Sequence, residues 1–174
     1  MARRPEPPAF PPPRFPPQRL DRTLTCYRIG DPRGAYPIMD ATGSRLFPGR
    51  WNTAAVPVLY AAIHYSCAML EKLVHGAGRL PPNQHFVAIT LPVGLSYEVL
   101  DGAALPGWDR EDERASRRFG SGWVQSARSA VLLVPSLVAR MEENVLINPG
   151  HPEFAGIAHG LARPVLWDRR LFSL

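Results

Sequence analysis

Arg50, Tyr60 and Glu71 bring a guanidinium, a phenol and a carboxylate into one stretch of the chain, from Gly49 to His75. A guanidinium fork matches phosphate oxygens, and a carboxylate stabilises developing positive charge. Together they suit a site that holds an anionic nucleotide and stabilises a cationic transition state. Arg28 and Ser136, each near the end of an expected element, extend the set. Taken singly, each has a plainer reading: arginines as surface cations, Tyr60 as a half-buried strand residue, Ser136 as a cap, Glu71 as an exposed helix glutamate.

The elements that must position these groups follow from local pattern. Gly49-Arg50-Trp51-Asn52 reads as a turn, residues 56–60 as a short strand and residues 66–75 as a helix. Ile63, Cys67, Leu70 and Val74 recur as one apolar helical stripe, with Glu71 on its margin and Lys72 pointing the other way. Upstream, residues 23–29 read as a first strand carrying Arg28, and residues 30–50 as a long loop in which Tyr36, Arg45 and Phe47 could cover a ligand. Downstream come a strand at 85–91, a weaker one at 97–100 and a loop at 101–108. A highly charged, solvated helix at 109–119 and a second helix at 122–130 follow. Residues 131–134 read as a buried strand stopped by Pro135, and 144–148 as another, closed by Pro149-Gly150. A short helix starts at His151, with Pro152 in its first turn. Residues 164–174 read as a terminal strand or edge segment.

Of the 20 prolines in the 174 residues, eight fall before Gln18. Residues 1–20 are therefore expected as an extended leader and 21–174 as one domain. A hydrophobic content of 45% supports a packed core. No apolar run approaches the roughly 20 residues of a membrane span, and none near the N-terminus has signal-peptide length. Two cysteines make neither a disulfide framework nor a zinc set, which fits a reducing cytoplasm. The net charge of +5 comes from nineteen arginines and a single lysine, Lys72. No dense arginine run interleaves with aromatics, so direct nucleic-acid binding is not expected. Walker-type loops, GxGxxG, HExxH and GxSxG are all missing. No convergent metal ligands accompany His64 and His75, and Cys67 reads as a packed core thiol.

The ordered motifs carry more than the single residues do. Tyr27-Arg28-Ile29, Gly49-Arg50-Trp51-Asn52, Val58-Leu59-Tyr60-Ala61-Ala62 and Leu70-Glu71-Lys72-Leu73-Val74-His75 come first. Val134-Pro135-Ser136 and Asn144 through Pro152, then Phe154, complete the series. Together they resemble the RES-domain toxins, the toxin half of bacterial Xre–RES toxin–antitoxin pairs. The resemblance spans nearly all of residues 24–172 and assigns the family's Arg, Glu and Ser to Arg28, Glu71 and Ser136. One departure is Pro48, where the family usually has the first of two glycines. Proline stiffens that turn and removes an N–H.

The resemblance implies an α+β fold: an ADP-ribosyltransferase-like core of two small twisted, antiparallel-rich sheets flanked by helices, with an NAD cleft between them. It implies NAD as substrate, without a metal, and cleavage of the nicotinamide–ribose bond. Glu71 would face the developing ribose cation, Arg50 and Arg28 would grip the pyrophosphate, and Tyr60 would meet the nicotinamide side. Ser136 and Asn148 would form the pocket wall, with Tyr36 also at the NAD site. Transfer of ADP-ribose to a protein is the favoured outcome; hydrolysis or phosphorolysis of NAD is the alternative, and a non-catalytic basic module that binds RNA or protein is another. An Xre-like antitoxin covering the active site is the implied partner.

Overall fold

The computed structural model describes residues 17–76, 79 and 82–172. Most of the proline-rich stretch lies outside these residues. Gln18–Arg19 (β1), within the stretch read as leader, already pair with a strand of the domain, and Leu20 is buried. The main elements are Leu24–Gly30 (β2), Thr42–Leu46 (α1), Leu59–Ala62 (β3), Tyr65–His75 (α2), His85–Leu91 (β4) and Ser96–Val99 (β5). Arg114–Ser126 (α3), Val131–Pro135 (β6), Glu143–Ile147 (β7), Ala158–His159 (β8) and Arg163–Pro164 (β9) follow. Single 3-10 turns occupy Gly102–Ala104, Pro152–Gly156 and Arg169–Phe172.

The nine strands form one continuous sheet, curled into a half-barrel, in the order β1-β5-β6-β7-β3-β2-β4-β8, with β9 also against β4. Two separate sheets were expected. Every pairing is antiparallel except β5 with β6. The sheet is pinched between β2 and β3, which share the single pair Tyr27–Ala62. Beyond that pair the Arg28 side chain, not its backbone, bonds β3, at the Tyr60 carbonyl.

The strands at the centre are buried on both faces. Val131, Leu133, Val145 and Ile147 enter one cluster with Leu59, Ile89 and Leu91. Their neighbours Leu132, Val134 and Leu146 enter a second with Trp51, Trp108 and Trp123. This is the period-2 alternation of a strand with a core on either side.

Helix α2 departs from its expected stripe. Cys67 and Ala68 are its buried residues, whereas Leu70 and Val74 are 44% and 57% exposed. The small side chains let its first half sit close on β2 and β3. Its second half overhangs a cavity, so the inward face there is Glu71 and Lys72 rather than apolar. The two helices expected at 109–119 and 122–130 are one, α3, running through Gly120 and Gly122. A Cβ at Gly120 would overlap the carbonyl of Trp51, so this glycine marks a backbone contact rather than a helix break. Of the segment expected as a terminal strand or edge, only its start pairs at the sheet edge, through Pro164 and the Val165 amide, and Arg169–Phe172 form a 3-10 turn.

Candidate active site

A cavity of about 710 Å³ opens over the pinch between β2 and β3. Its walls come from β2, α1 and the turn after it, β3, α2 and the first turns of α3. Four cations line it, Arg28, Arg50, Lys72 and Arg117, against two carboxylates, Glu71 and Glu113. The size suits a nucleotide-like ligand and the charge suits an anionic one.

Glu71 reaches the cavity from the inward face of α2. Its Oε1 accepts from Ser136 Oγ at 2.8 Å and from Asn144 Nδ2 at 2.6 Å. Ser136 Oγ in turn accepts the amide of Ala139 at 2.9 Å, which fixes the direction of its hydroxyl. Ser136 is fully buried and is not a lining residue; it orients Glu71 from behind. Asn144 does line the cavity, on β7 opposite Ala62 of β3. The carboxylate is thus aimed by two donors on different segments.

Arg28 is mostly buried, and desolvation lowers its pKa to about 10, partly offset by the charge of Asp40. It remains a cation at neutral pH. Its Nε donates to the Ile38 carbonyl at 2.6 Å and its Nη1 to the Tyr60 carbonyl at 2.7 Å, tying the long loop to β3 across the pinch.

Arg50 is held on the opposite wall. Its Nη1 donates to the carbonyls of Trp108 and Arg110 at 3.1 and 2.8 Å, and its Nη2 lies 3.6 Å from Glu113. Glu113 also pairs with Arg117 at 2.6 Å, one helical turn on, and Arg117 Nε donates to the Gly49 carbonyl at 3.3 Å. The backbone of Glu113 is left-handed, with φ 53°, an unfavourable conformation for a residue with a Cβ. The ion pairs it makes with both arginines accompany that conformation.

The Tyr60 hydroxyl is engaged by the protein. It donates to Asn52 Oδ1 at 2.8 Å and accepts the Trp51 amide at 3.0 Å, and burial pushes its pKa up. The Gly49 amide donates to the same Asn52 oxygen at 2.9 Å. Gly49 packs on the Tyr60 ring so closely that a Cβ would stand 2.8 Å from the hydroxyl oxygen. The Gly49–Asn52 turn is therefore moulded onto Tyr60, whose ring, still in the cavity wall, is the part left to meet a ligand.

Two expected site residues lie elsewhere. Asn148 is buried at the far end of β7, where Nδ2 donates to the Val124 carbonyl and Oδ1 accepts the Gly150 amide. It lies four positions on from Asn144, about 13 Å along an extended chain at roughly 3.3 Å per residue. Tyr36 is 43% exposed and outside the cavity wall. The sequence reading missed Asn144, Lys72 as a lining group, and the Glu113–Arg117 pair. Asn144 carried a signal, as one of two asparagines bracketing an apolar run, but choosing between them needs the β3–β7 register. Arg117 shares a face with Gly120, three residues on, and that glycine was the clue to a helix pressed against the turn.

Residues 25–168 match the family described as RES domain. A protein named Prs ADP-ribosylating toxin, from Sphingobium sp. (strain YBL2), is 42% identical over 156 residues, covering 86% of this chain and 97% of that protein. A protein named Toxin Res, from Pseudomonas putida, is 35% identical over 122 residues, covering 68% and 83%. The fold is similar to a chain in the crystal structure of the M. tuberculosis MbcT–MbcA toxin–antitoxin complex. The TM-score is 0.64 at 15% identity, with 84% of this chain and 86% of that one covered.

Proposed function

The chain belongs to the RES domain family, and on that premise we propose that it is the toxin of a toxin–antitoxin pair that cleaves NAD and transfers ADP-ribose to a protein. The observation that carries this reading is the Glu71 carboxylate, aimed by Ser136 and Asn144 into a cavity rich in cations. In the reaction the bond between the nicotinamide nitrogen and ribose C1′ breaks, and its electron pair leaves with nicotinamide, neutralising the pyridinium. Positive charge builds on the ribose, as in glycoside hydrolysis. Glu71 stabilises that charge, held in place before the reaction begins. The acceptor's nucleophile then bonds to C1′ and its proton passes to solvent. The ring of Tyr60 forms the wall against which nicotinamide stacks. The curled sheet with its pinch serves, on this reading, as an ADP-ribosyltransferase-like scaffold.

The Sphingobium relative's name attaches ADP-ribosylation to Prs, so Prs is the first acceptor to try. The partner is an Xre-like antitoxin that covers the cavity mouth, and the site of action is the cytoplasm. Among the described residues no helix is long and apolar enough to cross a membrane. The test is incubation of the purified protein with NAD, alone and with Prs, phosphate or cell extract, following nicotinamide release. Mass spectrometry of the products distinguishes ADP-ribosylated protein from free ADP-ribose or its 1″-phosphate. No nicotinamide under any of these conditions would sink the enzyme reading and favour a non-catalytic binding module.

A further inference from the structure

Of the four cations in the cavity wall, three are already occupied. Arg28 donates to two backbone carbonyls, Arg50 to two more beside Glu113, and Arg117 pairs with Glu113 and the Gly49 carbonyl. Lys72 is different. Among the described residues its ammonium makes no hydrogen bond or ion pair, although it lines the cavity next to Glu71 on the inward face of α2.

A half-buried ammonium without a partner is costly, and the cost is visible in its electrostatics. Burial lowers the pKa of Lys72, and the charge of Arg28 lowers it further; Asp31 works against them. Asp31 is itself committed, accepting the Arg33 amide and the Asn83 side chain. An exposed lysine would have avoided this cost, and the chain's other cations are arginines. An ammonium also differs from a guanidinium in kind: it is a compact point charge whose three donors swing to meet an oxygen.

We infer that Lys72, rather than the Arg28 and Arg50 forks, supplies the direct cationic contact to the pyrophosphate of the bound dinucleotide. This inference rests on NAD being the substrate. It divides the work within the cavity. Arg28 and Arg50 build the walls and add background positive potential, Glu71 faces the ribose, and Lys72 closes on phosphate oxygens when the ligand enters. Adjacent positions on one helix then set the spacing between the anion grip and the reacting sugar, because both side chains hang from the same rigid element.

The experiment is titration calorimetry of the full chain with ADP-ribose, which keeps the pyrophosphate and lacks the scissile bond. It uses wild type, Lys72→Met and Lys72→Arg. Met preserves the apolar stem and, at a half-buried site, leaves the fold intact by circular dichroism and thermal melt. Loss of one charge-assisted contact weakens ADP-ribose binding about ten- to hundredfold in Lys72→Met, with partial recovery in Lys72→Arg. In turnover, Lys72→Met raises KM for NAD and leaves kcat nearly unchanged, because the contact is present before and during bond cleavage. The salt dependence of ADP-ribose affinity also becomes shallower. Wild-type affinity in Lys72→Met, or a fall in kcat with KM unchanged, overturns the inference. Wild type that neither binds ADP-ribose nor releases nicotinamide removes the underlying function instead, so the two failures are told apart.

Discussion

At the scale of single residues, the proposed function puts the chemistry on the Glu71 carboxylate, which Ser136 and Asn144 hold in place. Glu71→Gln keeps the shape and the hydrogen bond from Ser136 while removing the charge that, in the proposed reaction, faces the ribose. It is expected to lower nicotinamide release by about 10²–10³-fold, the scale of losing one preorganised electrostatic group, with thermal stability unchanged or raised. Asn144 tests the same point from the side, because its amide lies 2.6 Å from the carboxylate. Asn144→Asp places a second carboxyl there, and two like charges at that distance cannot both ionise freely. The proton affinity of the pair rises. If ionised Glu71 is required, the acid limb of the pH–rate profile moves to higher pH by about 1 unit or more. A profile that drops in height without moving would mean that Asn144 matters only for packing.

At the scale of elements, the site depends on α3 pressing the Gly49–Asn52 turn against Tyr60. Gly120 is where the helix backbone meets the carbonyl of Trp51, and there is no room there for a Cβ. Gly120→Ala therefore pushes α3 off the turn. The expected cost is about 1–3 kcal/mol or more of stability, read as a lower melting temperature, together with a higher KM as Arg50 and Arg117 lose their seats. Gly120→Ala with an unchanged melting temperature would contradict the close approach. This contact also shows where reading the sequence stops. Strand β4 is recognisable to the residue, because its alternating Val87, Ile89 and Leu91 are a local signal. Helix α2 is nearly so, and its junction with β3 puts Glu71 near Tyr60. The pairing of β3 with β7 joins residues far apart in the chain, and only that register shows that Asn144, not Asn148, meets Glu71. In the same way, Gly120 looks like part of a break until Trp51 is known to lie against it. Arg28 and Arg50 were picked out by type, and both line the cavity. That Arg28 and Arg50 spend donors on backbone carbonyls is decided by loops whose course no local pattern fixes. The single pinched sheet, in place of two, follows from one bridge between β2 and β3 that periodicity alone does not encode.

At the scale of the whole molecule, the curled sheet also has to be held together at its β1 edge. Glu153 sits there, on the turn after β7, and joins segments distant in sequence. Its Oε2 accepts the Ser96 amide at 2.8 Å and the Ser96 hydroxyl at 2.5 Å, and its Oε1 pairs with Arg19 of β1. Ser96 Oγ also accepts the Ala130 amide at 2.9 Å, just before β6, so one carboxylate braces β1, β5 and the start of β6. Burial alone would raise its pKa, but the bonds from Ser96 and the charge of Arg19 outweigh it and hold the group at about 2, below its ordinary 4.5. The sign follows directly. The folded state binds the proton less tightly than the unfolded chain, so Glu153 contributes its full stabilisation above about pH 4.5 and loses it as pH falls towards about 2. Glu153→Gln retains acceptors but not the charge. It is expected to be less stable than wild type at neutral pH and to approach wild type as both are acidified. Urea unfolding followed by tryptophan fluorescence at several pH values between about 7 and 2 measures this directly. Convergence of the two midpoints on acidification supports the brace, whereas a constant gap between them across that range would show that the carboxylate's charge does not hold this edge of the sheet.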